Sequence, residues 1–180
     1  MKKIATVLIL LFTCSCSNSQ IKQETKMHRI QDTTVSKSGW YYGKSTDGHF
    51  SIELPIPFND VTIKTEGIYT YVIGSTSQEG FKFSVTEMKN KNRFHKINFD
   101  ELLVALAKPN NTITNISKFQ NEKLKTIYCE LRNNKNGAFM KYIYHKNRIY
   151  TLIIEYPIDK EKTVAEYKDY YFSSFSIIKN

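Results

Sequence analysis

The sequence is poor in the residue types that build the common catalytic and metal-binding motifs. It contains three cysteines, four histidines and seven glycines. No two histidines have the i, i+4 spacing of helical metal ligands, and the HExxH, CxxC, GxSxG and glycine-loop patterns are absent. Aspartates and glutamates are dispersed, so no carboxylate pair is apparent. These absences exclude the motif-bearing enzyme classes and leave only a site assembled from distant residues.

The chain also lacks an apolar run long enough to cross a bilayer. The longest run, Ile4 to Phe12, is too short to span and follows two lysines. Residues 1–15 resemble a bacterial lipoprotein signal peptide, in which a cysteine becomes the lipidated first residue. Cys16 is preceded by the small residue Ser15 and is the predicted lipidation site, whereas Cys14 is the alternative. A plain secretory signal with incidental cysteines is the remaining interpretation.

A lipid anchor predicts a location in the cell envelope, with the membrane as the first partner. No acidic run follows the candidate cysteine, which favours a periplasm-facing protein. Cys129 would then be the remaining cysteine, so no internal disulfide is expected. It alternates in phase with Ile127 and Leu131, which predicts a buried core thiol rather than a nucleophile.

Positive charge exceeds negative charge along the whole chain. The formal net charge is +9, which becomes +7 (9 − 2) if Lys2 and Lys3 are removed with the signal. The lysines are scattered over strand and turn positions, which indicates a solvated basic face. We expect no nucleic-acid partner in a secreted protein. No ligand set predicts a cofactor or a metal.

Residues 16–38 are polar and lack sustained periodicity, which predicts a flexible tether. Residues 39–180 are predicted to form a single domain. Strand signals with period two recur through it, separated by turns rich in glycine, proline and asparagine. The predicted strands include residues 49–54, 61–64, 68–73, 81–85, 116–119, 124–132 and 148–156. In the last of these, apolar residues on both faces predict a sheet covered on both sides in places.

Two segments have helical spacing instead. Asn98 and Glu101 predict a capping box at the start of a helix that Pro109 ends. Thr163 and Glu166 predict a second capping box, before an aromatic stripe that continues to Tyr171. The fold class predicted from these signals is α+β, with an antiparallel sheet of about six to seven strands flanked by two main helices.

Tyrosine is abundant, with twelve residues. Tyr41 and Tyr42 near the domain start, together with Tyr167 and Tyr170 in the second helix, are a candidate interaction surface. The alternative is that these rings fill the core and its hairpins.

Three segments together resemble the PsbP-like fold, the type found in photosystem extrinsic proteins, the bacterial envelope protein DcrB and a Ran-binding nuclear import factor. They are Gly48–Pro55, Asn147–Leu152 and Tyr171–Phe175, with the shared pattern G-x-F-S-I-x-x-P … R-x-Y-x-L … S-F. The resemblance covers about residues 39 to 178 and implies an α/β/α sandwich used mainly for protein binding. It carries over no catalytic residues, metal ligands or cofactor.

The sequence therefore favours a membrane-anchored envelope lipoprotein that is a non-enzymatic interaction module for a protein partner. One alternative is a hydrolase whose site assembles only in three dimensions. Another is an immunity or chaperone-like protein that binds a secreted toxin. A function inferred from a resemblance to the PsbP-like fold rests on analogy with other proteins of that fold.

Overall fold

The computed structural model describes residues 23–65, 67–90, 98–107, 111–121 and 123–178. The predicted signal peptide, both candidate lipidation cysteines and His95 lie outside the described residues. Within them, no helix is long and apolar enough to cross a membrane.

The described residues form eleven strands and two α-helices. In chain order the strands are β1 (Gln23–Asp32), β2 (Tyr41–Lys44), β3 (Phe50–Leu54), β4 (Phe58–Thr65), β5 (Ile68–Thr76), β6 (Lys82–Asn90), β7 (Thr112–Gln120), β8 (Lys125–Arg132), β9 (Asn136–His145), β10 (Arg148–Pro157) and β11 (Ser176–Ile177). The helices are α1 (Phe99–Leu106) and α2 (Glu161–Ser174).

The strands form two antiparallel sheets. The main sheet has eight strands in the order β1-β4-β5-β6-β10-β9-β8-β7, and the small sheet has the order β11-β3-β2. The α+β class and the antiparallel sheet are confirmed, but the prediction of six to seven strands is too low. The difference comes from β1, β2 and β11, which are short or polar and so lack an apolar alternation.

A hydrophobic core lies on each face of the main sheet. The small sheet and α2 cover one face, where Phe50, Phe83, Tyr150 and Tyr171 are buried together. On the other face α1 packs through its leucines against a smaller cluster that contains Cys129. This arrangement confirms both the covered sheet and the buried, free Cys129 thiol. Burial, with a smaller effect of Glu130, raises the pKa of that thiol to about 11.

The two predicted helix starts have different outcomes. Asn98 is confirmed as the N-cap of α1, because its side chain accepts a hydrogen bond from Asp100 N at 3.0 Å. Its amide also donates to the Glu101 carboxylate at 3.1 Å, which is a contact between side chains and not the backbone bond of a capping box. The capping box at Thr163 is wrong, since α2 begins at Glu161. A 3₁₀ turn, Ile158–Lys160, leads from β10 directly into α2, so the helix starts without a side-chain cap.

Strand β1 lies inside the segment that was predicted to be a flexible tether. It pairs with β4 at one edge of the main sheet, so the folded unit includes residues from Gln23 onward. Most of its side chains are exposed, and those that turn inward are polar. A strand held by polar contacts has no hydrophobic alternation, so its sequence resembles that of a linker.

Besides its backbone pairing with β4, β1 is tied to the protein interior by Arg29. Its guanidinium lies 2.9 Å from the carboxylate of Asp60, which is fully buried. Thr46 donates to the same carboxylate oxygen from its backbone N–H at 2.9 Å and from its hydroxyl at 2.6 Å. A buried carboxylate needs such partners, because an uncompensated charge in the interior is costly.

We predict that Arg29→Met destabilises the protein by about 3 kcal/mol, because it leaves the Asp60 charge buried without its cation. The control is Lys64→Met, which removes the ion pair with Glu24 between the same two strands. Both partners of that pair are about half exposed, and solvent screens an exposed pair, so the expected loss is much smaller than that of Arg29→Met. Urea unfolding measures both values. Equal losses would contradict a structural role for the buried pair.

Candidate functional site

Three aromatic side chains form a partly exposed patch where the small sheet meets α2. The ring of Trp40 lies 4.5 Å from that of Tyr170, centroid to centroid, at an interplanar angle of 58°. Tyr170 is 37% exposed, and Tyr42 on β2 is 39% exposed. Tyr42 lies directly opposite Glu53 in the pairing of β2 with β3. We call Trp40, Tyr42 and Tyr170 the aromatic patch.

Glu53 connects the two elements that carry the patch. Its carboxylate accepts hydrogen bonds from the hydroxyl of Tyr170 and from Ser38 Oγ, the latter at 2.6 Å. Ser38 Oγ in turn lies 2.6 Å from Ser36 Oγ. The loop before β2, strand β3 and helix α2 are thereby joined at one carboxylate, which fixes the Tyr170 ring beside Trp40.

These contacts change the acidity of the two groups involved. Burial alone would raise the pKa of Glu53, but the hydrogen bonds from Ser38, Tyr170 and Ser36 outweigh it, and the pKa lies below its usual value. The same bond to Glu53 raises the pKa of Tyr170. Both shifts favour a charged carboxylate and a neutral phenol at neutral pH.

The structure separates the four tyrosines that the sequence suggested as one surface. Tyr42 and Tyr170 are exposed. Tyr41 and Tyr167 pack against the larger core cluster, and the Tyr167 ring lies 6.0 Å from that of Phe83. Trp40, which was not among the predicted site residues, contacts Tyr167 and Tyr170 of α2.

The three segments that carry the PsbP-like pattern meet inside the protein. Phe50 of the first lies 6.3 Å from Tyr150 of the second and 6.2 Å from Phe175 of the third. Tyr150 and Phe175 are 5.4 Å apart. The pattern therefore consists of residues that pack the core between the small sheet, β10 and the end of α2.

A second cluster, of titratable side chains, lies under the loop between β2 and β3. The fully buried carboxylate of Glu87 accepts from His49 N at 2.6 Å and lies 3.4 Å from Arg148 Nε. Nearby, the His28 ring lies 2.9 Å from the Asp47 carboxylate. Together with Arg29 and Asp60, these residues form a polar row across the main sheet.

The polar row holds the loop onto the sheet. Glu87 and Asp60 are fully buried, and each accepts hydrogen bonds from the backbone of this loop. A substrate could reach either carboxylate only if the loop moved. The polar row was not predicted from the sequence, since its members come from β1, β4, β6, β10 and a loop, and no local spacing connects them.

Among the described residues, no group of three or more histidine, cysteine, aspartate or glutamate side chains is placed to hold a metal ion. His28 and His49 each lie beside a single carboxylate. His145 instead contacts the carbonyl oxygen of Lys123 at 3.0 Å.

Comparison with known proteins finds similarity only at the level of structure. No family model matches the chain, and no curated protein matches it. The solution structure of cyanobacterial PsbP (CyanoP) from Synechocystis sp. PCC 6803 is 11% identical, covers 91% of this chain and 97% of its own, and has a TM-score of 0.48.

A second similar structure is that of LpqN, described as involved in cell envelope biogenesis of Mycobacterium tuberculosis. It is 10% identical, covers 90% of this chain and 87% of its own, and has a TM-score of 0.37. With TM-scores below 0.5, neither similarity carries an argument about family or function.

The single tryptophan, Trp40, makes the state of Glu53 measurable by fluorescence. Because the folded pKa of Glu53 is lowered, the hydrogen bonds to its carboxylate are present at neutral pH and are lost as pH falls through that pKa. We predict a change in Trp40 emission with a midpoint below the usual glutamate value of about 4.3.

Tyr170→Phe removes one of the lowering hydrogen bonds and should move this midpoint upward. Tyr167→Phe is the matched control: its ring also lies near Trp40, at 6.0 Å, but Glu53 receives its lowering hydrogen bonds from Ser38, Tyr170 and Ser36. If Tyr170→Phe left the midpoint unchanged, the prediction that the Tyr170 hydrogen bond lowers the pKa of Glu53 would be wrong.

Proposed function

We propose that the chain is an envelope lipoprotein, lipidated at Cys16 with Cys14 as the alternative, whose PsbP-like α+β domain is a non-enzymatic module that binds a protein partner on the periplasmic side. The signal-like residues 1–15 support the anchor. The layered α+β architecture and the three converging motif segments support the PsbP-like assignment.

The observation that carries the binding role is the exposed aromatic patch. Tryptophan and tyrosine dominate the residues whose truncation most weakens protein–protein complexes, because they offer a large rigid contact area with a polar tip. Glu53, Ser36 and Ser38 place polar groups directly beside the rings of the patch. An apolar centre with a polar rim is the usual composition of a protein interface.

The patch is also held in place before any partner binds. Trp40 packs against the larger core cluster, and Tyr170 is fixed by its hydroxyl contact with Glu53. Side chains that are already ordered lose less conformational entropy on association, which favours affinity.

The test is chemical crosslinking of the full-length chain in intact envelopes, followed by purification and mass spectrometry. We predict one reproducible protein partner, whose yield falls at least about tenfold in Tyr170→Ala. Val104→Ala is the control, because Val104 is an exposed apolar residue, 58% exposed, on the distant helix α1. Recovery of no reproducible partner, or an equal loss in both variants, would reject the module.

The same preparation tests the anchor. Incorporation of radiolabelled palmitate should be abolished by Cys16→Ala and retained by Cys14→Ala. Labelling that survives Cys16→Ala but not Cys14→Ala would assign the lipid to Cys14, and labelling of both variants would reject lipidation at a single one of these residues.

A further inference from the structure

An open groove runs along the flank of α2 that faces away from the aromatic patch. It has a volume of about 540 Å³. Its floor is formed by β8 and β9, one wall by α2, and its outer rim by the edge strand β7. The side chains that define it are Phe119, Tyr128, Lys141, Lys168 and Phe172, and we call it the lysine groove.

Within the described part of the chain, no acidic side chain pairs with the Lys141 ammonium. Its side chain extends from β9 into the groove, and no hydrogen bond or ion pair to its ammonium occurs among the described residues. Burial alone lowers the pKa of Lys141. A partly desolvated ammonium without an anion is unfavourable, so an anionic group brought into the groove would gain the missing interaction.

The second cation of the groove is held differently. The Lys168 ammonium lies 3.7 Å from a carboxylate oxygen of Glu130 and 5.1 Å above the Phe139 ring. One aspartate, Asp169, lines the α2 wall. Of the two groove lysines, Lys141 is therefore the one without an acidic partner among the described residues.

The shape of the groove indicates what kind of ligand carries this anion. Phe119 at the outer rim is 58% exposed, so the groove is open to solvent along that side. A small amphiphile needs a pocket that encloses most of its surface. A helix buries only one stripe, and it can lie on the sheet beside α2 at the usual spacing of about 8–10 Å between packed helices.

We propose that the lysine groove binds an amphipathic helix of a protein partner, whose apolar stripe contacts Phe119, Tyr128 and Phe172 and whose aspartate or glutamate pairs with Lys141. This is recognition of a helix by a hydrophobic groove, with charge complementarity selecting the acidic sequence. The site is distinct from the aromatic patch and does not depend on it.

The test places a photoreactive benzophenone amino acid at position 119 of the full-length chain in cells. The adduct is digested and sequenced by mass spectrometry. We expect a protein segment with apolar residues at helical spacing and an acidic residue among them. The same probe at position 104, where Val104 has the same exposed fraction of 58% on the opposite face of the sheet, should give no such adduct.

Two substitutions at Lys141 then test the charge. Lys141→Gln should lower the yield of the position-119 adduct at least tenfold, and Lys141→Arg should preserve it, with urea midpoints measured for both to confirm folding. The crosslinked segment, synthesised as a labelled peptide, should bind the purified unmodified chain and the Lys141→Arg variant with similar affinity and the Lys141→Gln variant more weakly. A lipid adduct, a segment without acidic residues, no adduct, or a yield unchanged by Lys141→Gln would overturn the proposal. Tyr170→Ala should leave the yield of the position-119 adduct unchanged. This result distinguishes binding in the lysine groove from binding at the aromatic patch.

Discussion

One buried hydrogen bond fixes the inner side of α2 to the main sheet. Tyr171 is fully buried on the inner side of the helix, and its hydroxyl donates to the carbonyl oxygen of Ser84 in β6 at 2.6 Å. Burial raises the pKa of Tyr171 far above its usual value, so the hydroxyl remains a donor throughout the physiological range. A buried phenol without this acceptor would lose roughly 1–3 kcal/mol, which makes the contact specific as well as stabilising.

The placement of α2 by Tyr171 also positions both surfaces that we propose for binding, the aromatic patch and the lysine groove. Residues on an α-helix turn by about 100° from one to the next, so the neighbours of Tyr171 point to either side of it. Tyr170 meets Trp40 and Glu53 on the small-sheet side. Phe172 meets Tyr128 on the side of the lysine groove, with ring centroids 5.8 Å apart. Helix α2 thus separates the aromatic patch from the lysine groove, and a partner could contact each surface independently.

The sequence predicted those parts of the fold that depend on local periodicity. The strands with apolar alternation and the start of α1 are where they were expected, because burial on one face leaves a pattern in the sequence. Strand β1 was not recognised, since its inward contacts are made by His28 and Arg29 with acidic partners. The cap at Thr163 was wrong because a 3₁₀ turn begins the helix earlier.

The candidate site was predicted less completely, because its residues come together from distant parts of the chain and leave no local pattern in the sequence. Tyr42 and Tyr170 were predicted as part of a tyrosine surface, but Trp40 becomes part of the patch only when the loop before β2 packs against α2. Lys141 and Lys168 lie on different elements, and nothing in their spacing indicates a shared groove. The residues of the PsbP-like pattern pack the core through Phe50, Tyr150 and Phe175, which explains why the resemblance carries over no chemistry.

The role of Tyr171 is tested most directly by amide hydrogen exchange of the intact chain in two variants. Both replace a tyrosine by phenylalanine, at adjacent positions of α2. Tyr171→Phe removes the buried hydroxyl, so amide exchange should accelerate in α2 and also in β3 and β11, which pack beside it. Tyr170→Phe removes an exposed hydroxyl and should leave the exchange of α2 near that of the unmodified protein. Equal exchange of α2 in the two variants would contradict the claim that Tyr171 sets the position of the helix and, through it, of both surfaces.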